Sequence, residues 1–231
     1  YGEIRAMFAR LAAEFGVPLV VANDGDVSAL AGGMSLNDTA VLGLAFGSSQ
    51  AAGYIDRQGA IMGWLNELAF VPVDYAPEAA VDEWSGDAGV GSQYFSQQCV
   101  FRLASRAGIE IPPDATKAEK LKHVQKHLEA GHEGAAKIWE SIGVYLGYSI
   151  PHYADFYDLK HVLILGRVSS GRGGDIILEK AREVLRREFP MLAEQITISL
   201  PDEKFRRLGQ SVVAASLPAA TLPAASLPGA S

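Results

Sequence analysis

His161-Val162-Leu163-Ile164-Leu165 runs directly into Gly166-Arg167-Val168-Ser169-Ser170-Gly171-Arg172-Gly173-Gly174. The first segment is short and apolar, the pattern of a buried strand. The second is a glycine-rich turn. Asp175 to Glu188 then places apolar residues at helical spacing. Strand, small-residue turn and helix in that order form an α/β unit. The turn suits a nucleotide, because small residues and a helix N-terminus leave backbone N–H groups for a phosphate. It equally suits a plain crossover in which Ser169, Ser170 or Asp175 caps the helix. It is not a Walker loop, since Gly-Lys-Ser/Thr is missing, and its spacing does not give GxGxxG.

Downstream, residues 195–199 read as one more strand and 203–215 as a last helix. Residues 216–231 are uncharged, repetitive and punctuated by proline, a composition expected to be disordered. Upstream lies a long helix over 133–156, with Ile138, Trp139, Ile142, Leu146, Ile150 and Tyr153 on its apolar side. Gly143 and Gly147 stand one turn apart and invite a close neighbour, and Pro151 should kink the helix. Helices are also expected over 116–130 and from Tyr94 to Ala107, with a loop-like stretch over 72–92.

Nearer the N-terminus, Val17–Ala22 and Ala40–Phe46 read as buried strands. Gly47–Gly53 reads as a turn, with the returning strand starting at Tyr54. Residues 3–15 carry a helical pattern that Gly16 stops. An antiparallel meander, then helices, then strand–turn–helix describes a mixed-sheet α/β domain. In such sheets ligands sit at the carboxyl ends of strands.

Composition narrows the function classes. The chain has 231 residues, a formal net charge of −7 and 48% apolar residues, as packed proteins do. The acidic balance opposes non-specific nucleic-acid binding. One cysteine, Cys99, excludes an internal disulfide and any multi-cysteine zinc cluster, and reads as a buried structural thiol. No apolar run approaches the ~20 residues that span a bilayer. The opening Tyr1-Gly2-Glu3 has no signal-peptide character, and a start inside a helical pattern suggests a piece of something longer.

Four places carry candidate chemistry. Asn23-Asp24 follows the first strand, where an acid can serve as general base; Asn-Asp-Gly-Asp is also a turn or helix-cap sequence. In the Gly47–Gly53 turn, Ser48 and Ser49 add hydroxyls to a backbone that a phosphate can approach. Asn66 and Glu67 offer the donors and acceptors that sugar hydroxyls need, or form a solvated turn. Trp64 reads as a core tryptophan, with stacking on a sugar face as the alternative. The Gly166–Gly174 turn is the fourth. His123 and His127 share a helix face at i, i+4, but without a zincin Glu and beside Lys122 and Lys126 they read as a solvated face.

The order of these pieces is what resembles a known family. Val20-Val21-Ala22-Asn23-Asp24-Gly25-Asp26-Val27-Ser28-Ala29-Leu30-Ala31-Gly32 resembles the "V-x-N-D-A-N-A-A-A-L-G-E" stretch of the ROK sugar kinases and sugar-sensing regulators. The spacing to Leu42–Asp56, to Asn66-Glu67 and to Val162–Ser169 is similar too, so the resemblance covers most of 17–215.

That resemblance implies a ribonuclease H-like (actin-like ATPase) fold, a mixed sheet flanked by helices. It implies transfer of the ATP γ-phosphoryl group to a hexose or related sugar, with Mg²⁺. Asp24 would be the catalytic base. Asn23, Asn66 and Glu67 would bind the sugar. Gly47, Ser48 and Ser49, with Gly166, Arg167, Val168 and Ser169, would contact the nucleotide. Residues 1–16 would end a preceding domain that holds the family's Asp-x-Gly-Gly-Thr loop. Residues 17–215 would be the C-terminal ROK-like domain and 216–231 a tail.

The chain also departs from the family. Phe46-Gly47-Ser48-Ser49-Gln50-Ala51-Ala52-Gly53 stands where the family has Gly-Thr-Gly-x-Gly-Gly-Gly. Asn66-Glu67-Leu68-Ala69-Phe70 stands where it has Gly-Glu-x-Gly-His. The missing His and Cys cluster predict no zinc and no other protein-held metal. The remaining expectations are a sugar partner, no membrane, no nucleic acid from this chain, a homodimer left open, and a cytoplasmic location. The alternatives to a kinase are a sugar-sensing regulator of the same fold and a non-catalytic sugar-binding protein.

Overall fold

The computed structural model describes residues 2–16, 19 and 22–201. The expected strand over Val17–Ala22, the helix over 203–215 and the tail over 216–231 fall wholly or mostly outside the described residues.

Four strands form one mixed sheet in the order β2-β1-β3-β4. β1 (Val41–Phe46) and β2 (Gln50–Ile55) make an antiparallel hairpin. β3 (His161–Leu165) runs parallel to β1, and β4 (Thr197–Ser199) runs parallel to β3. The expected turn over Gly47–Gly53 is shorter than its composition suggested. Only 47–49 turn, and Gln50–Gly53 already pair with β1, because the three small residues Ala51, Ala52 and Gly53 on a covered edge strand extend as readily as they bend.

Helices cover both sheet faces. α2 (Asp24–Leu36) lies on one, where Ala29 packs with Val41, Ile55 and Leu163. The other carries the main core, with α3 (Gln97–Ala104), α4 (Lys117–Glu129), α5 (Glu133–Ala154) and α6 (Arg172–Glu188). α4 starts on a capping box between Thr116 and Glu119. α5 buries the residues its periodicity marked, Trp139, Ile142, Leu146 and Ile150 among them. It continues past Pro151 to Ala154. A Cβ on Gly147 would stand 2.6 Å from Val184 Cβ, so the α5–α6 contact does need the small residue. α6 begins at Arg172, three residues before the expected Asp175, with Gly171 as a cap lacking a side-chain bond. Ser169 and Ser170 instead bond back to the Gly166 and Arg167 carbonyls. A short α7 (Pro190–Gln195) precedes β4 and was not expected.

α1 (Gly2–Phe15) forms as its pattern predicts, but Ile4, Met7 and Phe15 of its apolar side are exposed. Among the described residues no helix is long and apolar enough to cross a membrane.

Candidate functional site

Asn23 and Asp24 mark the start of α2. Asn23 is its N-cap, and its Oδ1 accepts the Gly25 N–H at 2.8 Å. Asp24 is the first helical residue and is exposed. The capping reading therefore holds, with Asp24 an acid in the first turn of the helix; the strand expected before it lies mostly outside the described residues. This helix start lies against β2 with no side chain between: a Cβ on Gly25 would meet the Ala52 carbonyl oxygen at 2.1 Å. A Cβ on Gly53 would meet the Gly25 carbonyl at 2.1 Å. Only glycine at both positions permits that backbone approach.

Two residues on, Asp26 is buried and was overlooked by sequence reasoning. Its Oδ1 accepts the Asn66 Nδ2–H at 2.9 Å and the Tyr54 N–H at 3.4 Å. The Tyr157 hydroxyl donates to Asn66 Oδ1 at 3.0 Å. Asn66 is thus held at both ends of its amide and fixes the loop that carries exposed Glu67 beside the α2 N-terminus. Burial pushes the Asp26 carboxyl above the usual carboxylate range, against the lowering effect of the Tyr54 and Asn66 donors. The alternation Asn-Asp-Gly-Asp held one usable signal: at i, i+2 in a helix the two acids point to different faces.

The two glycine turns meet at one end of the sheet, where its two central strands finish. β1 and β3 are parallel with Ala45 beside Leu165, so Gly47–Ser49 and Gly166–Ser169 leave their strands together. The Val168 N–H donates to the Phe46 carbonyl at 3.2 Å. Gly166 has φ +98°, and a Cβ there would stand 2.4 Å from the Phe46 oxygen. The Gln97 N–H at the start of α3 donates to the Gly47 carbonyl at 2.9 Å. Ser48 and Ser49 are exposed. Trp139 Nε1–H and Gln125 Nε2–H fix the other turn through the Val168 and Arg167 carbonyls, at 2.8 and 2.9 Å. Beside it opens a hollow of ≈ 330 Å³ between α4 and the turn, lined by Lys122, Gln125, Lys126, Leu128, Glu129, Ser170 and Gly171. None of those α4 residues was singled out as a site from the sequence, and Lys122 and Lys126 read there only as a solvated face, because an amphipathic helix face carries no mark of what it faces.

The two groups are separate but near. Gly25 sits over Ala52 and Gly53, three residues along β2 from Gln50 at the turn, roughly 10 Å at ~3.4 Å per residue.

Several solved structures share this fold. A ROK family glucokinase from Streptomyces griseus, in complex with glucose and AMPPNP, matches with a TM-score of 0.67 at 19% identity, over 91% of this chain and 71% of that one. A ROK hexokinase from Thermus thermophilus matches at 0.68 and 18%, over 90% and 68%. A ROK family transcriptional regulator, a homolog of the E. coli MLC protein, matches at 0.72 and 18%, over 93% of this chain and 56% of that one.

The fold is the ROK fold, an actin-like α/β architecture.

No protein-family model matches the sequence, and no curated protein is significantly similar to it. The chain spans about half to three quarters of the length of these ROK structures.

The loop over 72–92 closes on a carboxylate. Asp82 accepts the Ser92 hydroxyl at 2.6 Å and the Gln93 amide at 3.0 Å on one oxygen. The Trp84 and Ser85 N–H groups reach the other. The Ser92 hydroxyl, first among these donors, holds Asp82 well below the usual carboxylate range. Tyr94 and Tyr145 hydroxyls converge on Asp74 in the same loop, at 2.6 and 2.8 Å. Among the described residues no group of three or more His, Cys, Asp or Glu could hold a metal ion. His123, His127 and His132 stack edge to face along α4 and the start of α5.

Proposed function

We propose that this chain is the larger part of an ATP-dependent sugar kinase, with Asp24 as general base. The observation that carries the reading is convergence at the head of α2. Asn23 and Asp24 start the helix, Asp26 binds Asn66, and Asn66 positions Glu67. The exposed Asp24 carboxylate, exposed Asn23 and exposed Glu67 are thereby tied to one helix start. These groups suit a polyhydroxylated acceptor.

In the reaction the acceptor hydroxyl oxygen attacks the γ-phosphorus as Asp24 takes its proton, and the bond to the ADP oxygen breaks. Asn23 and Glu67 hold the neighbouring hydroxyls. Asn66, engaged at both ends, keeps that loop in place. Gly47, Ser48 and Ser49 offer N–H and hydroxyl donors to the phosphates. Gly166, Arg167, Val168 and Ser169 form the floor for the nucleoside, and the hollow beside α4 has the volume of a small-molecule pocket. Mg²⁺ bound mainly through nucleotide phosphates needs only one or two carboxylates and water, which fits a chain without a ligand cluster among its described residues. Bound there, it would neutralise phosphate charge.

We further read residues 1–16 as the end of a preceding domain and 17–215 as the C-terminal ROK-like domain. The uncovered Ile4, Met7 and Phe15 of α1 support this reading. The test is to express the complete reading frame, supply ATP, Mg²⁺ and a hexose panel, and measure ADP. Sugar-dependent ADP is the expected result. A ROK-type regulator is the second reading, favoured by the likeness to a transcriptional regulator and by the serine-rich turn. It would bind sugar without releasing ADP.

A further inference from the structure

Trp64 was expected in the core, and it is not there. Its side chain is 48% exposed, and its neighbours Met62 and Leu65 are 42% and 83% exposed. Trp139 shows the contrasting case: it is fully buried, with its Nε1–H on the Val168 carbonyl. Among the described residues no acceptor meets the Trp64 Nε1–H. A cluster of large apolar side chains left in water marks a contact surface.

Its position says what the contact is. The indole rests at 5.9 Å and 50° against the Tyr157 ring. The Tyr157 hydroxyl holds Asn66, and Asn66 holds Asp26 in the first turn of α2. The exposed indole is therefore anchored, through two hydrogen bonds and one ring contact, to the element that carries Asn23 and Asp24.

We propose that the Trp64 indole is the stacking platform of the acceptor site, a positioning and specificity residue for a pyranose ring. This rests on the sugar-kinase reading above. A pyranose carries hydroxyls on its rim and C–H bonds on its faces. The indole offers an apolar face with negative quadrupole to the C–H bonds and one N–H donor at its edge. The polar groups at the head of α2 and Glu67 are left to take the rim. A sugar with an uninterrupted C–H face packs flat. One with an axial hydroxyl on that face buries an unpaired polar group and is rejected.

The test uses the protein from the complete reading frame with Trp84→Phe, which removes the other exposed indole. Glucose, mannose and galactose are titrated while emission is read, and steady-state rates are measured with ATP. One of the three should shift the emission. Trp64→Ala should abolish that shift and raise KM for that sugar ~10-fold or more, leaving KM for ATP unchanged. Trp64→Phe should recover most of the sugar KM. Unchanged sugar KM in Trp64→Ala, with ADP still formed, overturns the platform and leaves the kinase reading standing. So does an indole that is already blue-shifted and unresponsive to sugar. If the parent protein neither binds nor phosphorylates any sugar, both readings fall.

Discussion

The Asn66 amide donates to the Asp26 carboxylate at 2.9 Å, linking a surface loop to the first turn of α2 across 40 positions of sequence. The same oxygen also takes the Tyr54 N–H, which lies on the edge strand β2. One buried acid thereby joins helix, sheet edge and acceptor loop, and occupies a donor that an exposed edge would leave open.

Asp26→Ala should therefore destabilise the fold by about 1–3 kcal/mol, because two donors lose their acceptor. Asp26→Asn keeps an acceptor oxygen and should be neutral or stabilising at pH 7. The sign follows from the raised folded-state value. Stability from this group is full below the unfolded value of ~3.9 and is lost as pH rises through the folded one. Urea midpoints for both variants at pH 7 check the pair.

Asp82 behaves in the opposite sense. Its carboxyl is lowered, so its contribution is present above ~3.9 and lost as pH falls through the folded-state value. Asp82→Asn turns an N–H group toward donors and should cost about 1–3 kcal/mol at neutral pH. The gap from the parent should close in acid. Chemical unfolding followed between pH 2 and 7 reads this directly.

Gly25→Ala should cost about 1–3 kcal/mol, since the new methyl meets the Ala52 carbonyl and must push α2 from β2. If sugar phosphorylation is found, its rate should fall with it, because Asn23 and Asp24 move with the helix start. Gly2→Ala, where a Cβ meets nothing within 4 Å, is the control and should leave stability unchanged.

Cys99 is 1% exposed, and burial pushes its thiol up to about 11. The native protein should resist thiol reagents at pH 8, and denaturant should release one reactive thiol per chain. Rapid native labelling would show that α3 opens.

Much of this architecture was legible in the residues themselves. The apolar runs gave β1 and β3, and the periodicity of α5 named its buried face. Gly143 and Gly147 announced the contact with α6. What escaped notice depended on partners distant in sequence. Gly25 and Gly53 look like turn residues, and only their packing against each other shows why they are glycine. Asp26 looks like the tail of a turn until Asn66 and Tyr54 arrive. Trp64 looks like core because most tryptophans are largely buried. The α4 side of the hollow looks like any charged helix face. The α6 start was missed because Gly171 caps it by backbone alone, leaving no side-chain signal.

The most direct measurement compares Asp24→Asn with the parent, both made from the complete reading frame. ADP release and sugar affinity are read in the same preparation. The expected result is turnover reduced ~10²–10⁴-fold with sugar affinity retained. Turnover equal to the parent's would contradict the assignment of Asp24 as the base.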